Sequence, residues 1–264
     1  MRAPPCTSTW PRASVRSHDG TLYFLYATGT ADLTGVWRLR PSGRAERSAA
    51  LLAAGLPNGL ALEARTRTLY VTDSTLGTVW RVPTGGGTAE AWSTDPALAP
   101  AGFLGANGLK IHNGAVWATN LDKGTVVRVS ILADGRSGTA RVTATGLTGI
   151  DDFAFTGRGD QIIAVLDTVN EVALVRPDGT HTIVLTAAHG LQGPTSIALR
   201  GATVYIPSAA YLTAKDPNLR SPSISPIQPS RSASAILSRR LSRISMRRPR
   251  WAGSGRSREQ RTPR

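Results

Sequence analysis

The feature that most limits how this chain can fold is a short heading that returns at nearly even spacing. Leu56-Pro57-Asn58-Gly59-Leu60-Ala61-Leu62 is followed 49 residues on by Gly105-Ala106-Asn107-Gly108-Leu109-Lys110-Ile111. After two further steps of 44 come Gly149-Ile150-Asp151-Asp152-Phe153-Ala154-Phe155 and Gly193-Pro194-Thr195-Ser196-Ile197-Ala198-Leu199. One polar residue heads each copy: Asn58, Asn107, Asp151 and Thr195. A self-similar period of this length marks a repeat architecture, in which each unit buries its apolar faces only against its neighbours.

Within each period the text reads as short strands joined by tight turns. After the heading at 56–62 come Thr68-Leu69-Tyr70-Val71-Thr72-Asp73, then Thr78-Val79-Trp80-Arg81-Val82, a Thr84-Gly85-Gly86-Gly87 turn, and Ala89 to Trp92. The next copies repeat this with Ala115 to Asn120, Thr125 to Val129 and Ala140 to Thr143, and with Gln161 to Asp167, Glu171 to Arg176 and Thr182 to Leu185. β-Branched and aromatic residues bounded by Gly, Asn and Asp are strand and turn chemistry. Four strands per ~40 to 50 residues is the cadence of a propeller blade. An earlier unit begins at Thr21 to Tyr26 and continues at Gly35 to Arg40, and a fifth copy reaches Ala202 to Ser208 before the pattern stops. The expected fold is an all-β propeller of about four to five blades over residues 19–219, preceded by a poorly ordered segment at 1–18.

Composition separates the tail from this body. Residues 221–264 carry eleven Arg against one Glu, which is most of the chain's formal +14, whereas the first 220 residues are close to charge balance. Ser, Arg and Pro with little apolar content predict disorder over 220–264. Ile236, Leu237, Leu241, Ile244 and Met246 between arginines leave open a short basic helix at a membrane or nucleic-acid surface, with salt-sensitive and non-specific affinity at most. Cys6 is the single cysteine, so an intrachain disulfide and a cysteine metal cluster are both excluded. No run is long enough for a membrane-spanning helix, and the expectation is a cytoplasmic protein without specific nucleic-acid binding.

The headings, with the Leu-Tyr-Val-Thr-Asp and Val-Trp-Ala-Thr-Asn second strands and Gly193-Pro194-Thr195-Ser196, resemble the six-bladed propellers of the senescence marker protein, regucalcin and gluconolactonase group. The resemblance spans residues 19–219. It implies a divalent cation, calcium, magnesium, manganese or zinc, held at the mouth of a central channel by Asn107, Asp151 and the more variable Asn58. It also implies a lactone or ester substrate and hydrolysis with Asp151 as general base. The acidic ligand expected from the first blade falls near Pro11, Arg12 or Ala13, and none of these is a Glu. Asp152 stands beside this set, and strand polarity places Asp73, Asn120, Asp167 and Ser208 on the same face as a second tier. Turn capping by Asn and Asp accounts for the same residues without a ligand. A non-catalytic binding propeller and an inactive truncated relative therefore stay open as alternatives. The histidines His112, His181 and His189 form no Ser/His/Asp set by position.

Overall fold

The computed structural model describes residues 13–211 and 215–222. By contacts the chain divides into residues 1–224 and 225–264, and the described residues all belong to the first unit. The tail from 223 onward, with its expected disorder and basic helix, lies outside the described residues, as do Pro11 and Arg12.

Five antiparallel sheets follow one another along the chain. Blade 1 is β1 (Ser14–Arg16), β2 (Leu22–Tyr26), β3 (Gly35–Leu39) and β4 (Ala45–Ala50). Blade 2 is β5 (Pro57–Glu63), β6 (Thr68–Asp73), β7 (Thr78–Pro83) and β8 (Glu90–Ser93). Blade 3 is β9 (Ala106–His112), β10 (Ala115–Asn120), β11 (Thr125–Ile131) and β12 (Ser137–Ala144). Blade 4 is β13 (Ile150–Phe155), β14 (Ile162–Leu166), β15 (Glu171–Val175) and β16 (His181–Leu185). Blade 5 has three strands among the described residues, β17 (Ala198–Arg200), β18 (Thr203–Ser208) and β19 (Asn218–Arg220). The first strand among the described residues, Ser14–Arg16, lies upstream of residue 19. It is three residues with two side chains exposed, too short and too polar to show as a strand in sequence.

The blades meet in order through their first strands: β1 lies against β5, β5 against β9, β9 against β13 and β13 against β17. Among the described residues no contact of that extent joins blade 5 to blade 1. Four apolar clusters fill the four joints. Tyr23, Leu25 and Val36 of blade 1 meet Leu60, Leu69 and Val71 of blade 2. Tyr70, Val79 and Trp92 of blade 2 then meet Leu109, Val116 and Val127 of blade 3. Trp117 and Val126 meet Phe153, Ile162 and Leu166, and Ile163, Val165 and Val172 meet Ile197, Val204 and Ile206. Successive residues of one strand therefore face opposite neighbours, as Tyr70 and Val71 do. Both faces are buried, and this is why the second strand of each blade reads as an apolar run with little alternation.

Candidate functional site

Each heading sits on a β-bulge. Pro57 opposes Asp73 and Leu60 opposes Val71, so one residue of the Asn58-Gly59 pair is extra to the ladder. The same shift occurs between Ala106 and Leu109 against Asn120 and Ala118, and between Ile150 and Phe153 against Leu166 and Ala164. A bulge frees a side chain from the strict in-out alternation and turns it along the strand end. The glycine after each Asn is needed for packing, because the next blade lies on it. A Cβ on Gly59 would overlap the Asn107 carbonyl and stand 2.9 Å from Leu109 Cβ, and one on Gly108 would stand 2.7 Å from the Asp151 carbonyl oxygen.

The bulges bring three heads together. Asn58 Nδ2 donates to Asn107 Oδ1, and Asn107 Nδ2 donates to Asp151 Oδ1 at 2.8 Å, linking blades 2, 3 and 4 in a line. Asn107 is 3% exposed, so its amide must be satisfied by protein, and both its ends are. Asn58 Nδ2 also donates to Ser74 Oγ at 3.3 Å.

Beneath this row a hydroxyl couples each pair of blades. Gly59 N donates to Thr72 Oγ1 at 2.8 Å, and Thr72 Oγ1 donates to the Asn107 carbonyl. One blade on, Gly108 N donates to Thr119 Oγ1 at 2.8 Å and Thr119 Oγ1 donates to the Asp151 carbonyl at 2.6 Å. The corresponding position of blade 4 is Leu166, which ends the series. These threonines stand one residue before Asp73 and Asn120, in the Thr-Asp and Thr-Asn pairs of the second strands. Their repetition directly before the Asp or Asn that ends the second strand is the signal that a reading confined to the headings misses.

At the next joint Asp152 takes over. Its Oδ1 accepts from Lys110 Nζ at 2.6 Å, and its Oδ2 accepts from Ser196 Oγ at 2.9 Å and from Ile197 N at 3.4 Å. Lys110 also lies over the Phe153 ring at 5.5 Å. Asp151 and Asp152, adjacent in sequence, are thus separated in role: the first joins the row of heads and the second ties blades 3, 4 and 5. Lys110 and Ser196 are not recognisable as its partners from sequence, because they lie 42 and 44 residues away.

Three of the four outer candidates, Asp73, Asn120 and Ser208, are held mainly by backbone groups. Asp73 is fully buried; its Oδ1 accepts from Leu56 N at 2.8 Å, Thr75 N at 3.2 Å and Leu76 N at 3.0 Å, and its Oδ2 from Trp80 Nε1 at 3.4 Å. Asn120, also fully buried, donates to the Ala97 and Ala99 carbonyls at 2.9 Å each and accepts from Lys123 N. Ser208 Oγ accepts from Gln192 N at 3.3 Å. Asp167 Oδ1 is buried and has no hydrogen-bond partner, and burial pushes its carboxyl above the ordinary carboxylate range. His112 is at the far end of β9, stacked on Phe155 with ring centres 3.9 Å apart.

The donor types at the heads suit a hard divalent cation: Asn58 and Asn107 each offer an amide oxygen, and Asp151 offers a carboxylate. The set has a single negative charge, and among the described residues no group of three His, Cys, Asp or Glu lies together. Ala13, the described residue in the stretch where the first-blade acid is expected, lies in the apolar joint between blades 1 and 2.

No protein-family model matches the chain, and no curated protein matches its sequence. Solved structures do match. A virginiamycin B lyase from Staphylococcus aureus is 15% identical at a TM-score of 0.58, over 77% of this chain and 64% of that one. The fold is a β-propeller. Regucalcin from Agrobacterium tumefaciens, a calcium-binding protein, is also 15% identical, at a TM-score of 0.57 over 76% of this chain and 69% of that one. A candidate 6-phosphogluconolactonase from Bacteroides uniformis gives 15% identity and 0.56, over 81% of this chain and 67% of that one. This chain therefore spans about two thirds of the length of each. Similar propellers thus bear the names of a lyase, a calcium-binding protein and a lactonase, so chemistry must be argued from the heads of the blades.

Proposed function

We propose that this propeller is a lactone or ester hydrolase of the gluconolactonase type, with its reacting centre at Asp151. The observation that carries the reading is the convergence of Asn58, Asn107 and Asp151 from three consecutive blades, each re-aimed by a bulge at the same place in its strand. The similar fold of regucalcin and of a candidate lactonase supports it. A small lactone lying across the heads meets the Asn58 amide oxygen, which can accept from its hydroxyl groups, and the Asp151 carboxylate, while the Asn58 and Asn107 N–H groups hold the row itself together. Asp151 takes the proton of the attacking water as the water oxygen bonds to the carbonyl carbon. It returns that proton to the ring oxygen as the ring carbon–oxygen bond breaks, leaving a hydroxy acid. A divalent cation held by the Asp151 carboxylate and the amide oxygens of Asn58 and Asn107 would supply polarisation of the carbonyl. Hydrolysis of glucono-δ-lactone by the full chain, with calcium, magnesium, manganese or zinc and with chelator, is the assay. Loss of a base lowers the rate by about 10²- to 10⁴-fold, so Asp151→Ala should do so. Undiminished turnover in that variant refutes the assignment.

A second reading, a non-catalytic propeller that binds a small polar ligand across the same heads, is favoured by the single carboxylate. It is also favoured by the Asn58–Asn107–Asp151 row, which satisfies its own amides without a ligand. Calorimetric titration separates the two. Cation binding that disappears in Asp151→Ala supports the hydrolase, and no heat at millimolar calcium or manganese supports the binding module.

A further inference from the structure

Two arginines stand directly opposite each other on neighbouring strands of blade 3. Arg128 of β11 and Arg141 of β12 are cross-strand partners. Like charges in that position repel, and natural sheets place an opposite charge there. Neither has one: among the described residues no carboxylate lies within ion-pair distance of Arg128, Arg141 or Arg176. Arg128 donates to Ser130 Oγ at 2.8 Å and lies over the Trp117 ring at 5.8 Å. Arg176, just past β15, donates only to hydroxyls of its own hairpin, Thr180 and Thr182.

The three guanidinium groups border one cleft of about 400 Å³ between blades 3 and 4, together with Trp117, Thr143 and Asp160. Asp160 is its one carboxylate and is already engaged, accepting from Asn113 Nδ2 at 3.0 Å with His112 Nε2 3.2 Å away. The cleft reaches the start of β14, where Ile162 pairs with Phe155. None of the heads Asn58, Asn107 and Asp151 lines it.

We infer that this cleft is a binding site for a phosphate group carried by a small organic molecule. Guanidinium groups match a phosphate in geometry and charge through paired N–H donors. Three of them, from two strands of one blade and the β15–β16 hairpin of the next, offer more N–H donors than a planar carboxylate can accept and suit the three oxygens of a phosphate dianion. The volume exceeds that of the anion and lies in the range of small-molecule sites. A bound dianion also removes the Arg128/Arg141 conflict, because both then face opposite charge.

The test is calorimetric titration of the full chain with inorganic phosphate and with glycerol 3-phosphate at fixed ionic strength, using chloride and glycerol as controls. One saturable site is expected for both phosphates and none for the controls. Arg141→Gln and Arg176→Gln should each weaken it about tenfold or more, the usual effect of losing one charge-assisted hydrogen bond. Without phosphate, Arg141→Gln should melt at or above the native temperature, because it relieves a like-charge pair. Phosphate should raise the native melting point more than that of the variant. Absence of saturation, native-like phosphate affinity in either variant, or a lower phosphate-free melting point for Arg141→Gln overturns the inference.

Discussion

Removing the Asp152 carboxylate tests how the last described joint of the propeller is held. The group has 13% of its side chain exposed and receives three donors from two other parts of the chain, Lys110 on blade 3 and Ser196 and Ile197 at the entry to blade 5. Asp152→Ala deletes all three bonds and strands a lysine that is itself two thirds covered. Breaking a buried pair by removing one partner costs about 3–5 kcal/mol. Lys110 can still reach water, so the lower end applies, about 3 kcal/mol in all. For a chain of this size that corresponds to a fall in melting temperature of about 6–12 °C. Asp152→Asn keeps an acceptor for Ser196 and should lose about 2 kcal/mol. Lys110→Met combined with Asp152→Ala should show a coupling of about 1 kcal/mol or more in a double-mutant cycle. Amide exchange should accelerate first at Ile197 and in β17, into which the bonded residues lead. Asp151→Asn, one residue away, keeps an acceptor oxygen for Asn107 Nδ2 and should cost less than Asp152→Ala. A melting point for Asp152→Ala within about 1 °C of native, or a larger loss for Asp151→Asn than for Asp152→Ala, would refute the division of labour between the two aspartates.

Three further outcomes are expected. Gly59→Ala and Gly108→Ala should each destabilise by about 1–3 kcal/mol in urea unfolding, since the added methyl meets the backbone of the next blade; unchanged midpoints would contradict the packing role of these glycines. Asp73→Ala should cost about 3 kcal/mol or more by leaving the Leu56, Thr75 and Leu76 amides without their acceptor, read by thermal melting. Asp167 holds its proton more tightly folded than unfolded, so its contribution to stability is present at low pH and is lost as pH rises from about 3.8 through its raised value. Asp167→Asn should therefore gain on the native chain between pH 4 and pH 7, and parallel stability curves over that window would count against the burial argument.

The strands and their order were readable because the heading recurs with its glycine, and because β-branched and aromatic residues crowd between turn residues. Thr68–Asp73 and Ala115–Asn120 fall where the sequence puts them. The edges were not readable. Ser14–Arg16 and Asn218–Arg220 are three-residue strands whose burial depends on a neighbour, and neither has a heading of its own. Strict strand alternation also places Asn58 or Asp151 a step out of phase, since the bulge adds a residue that the apolar pattern does not announce. The long-range partners Lys110, Ser196, Thr72 and Thr119 are common residue types, and only the stacking of blades gives them a role. The described residues include no helix long and apolar enough to cross a membrane.

The hydrogen bonds that side chains make between neighbouring heads share a sense. Asn58, Thr72 and Ser74 of the second blade's head donate to acceptors on the third, and Asn107, Thr119 and Lys110 donate from the third to the fourth. Ser196 and the Ile197 amide donate back from the fifth. Protons are thus offered toward blade 4 from both sides, and lone pairs accumulate at Asp151 and Asp152. The rim is therefore a vector with a sink at one blade. Any guest laid across it would meet acceptors at blade 4, so the side it turned to Asp151 and Asp152 would have to be its electron-poor one.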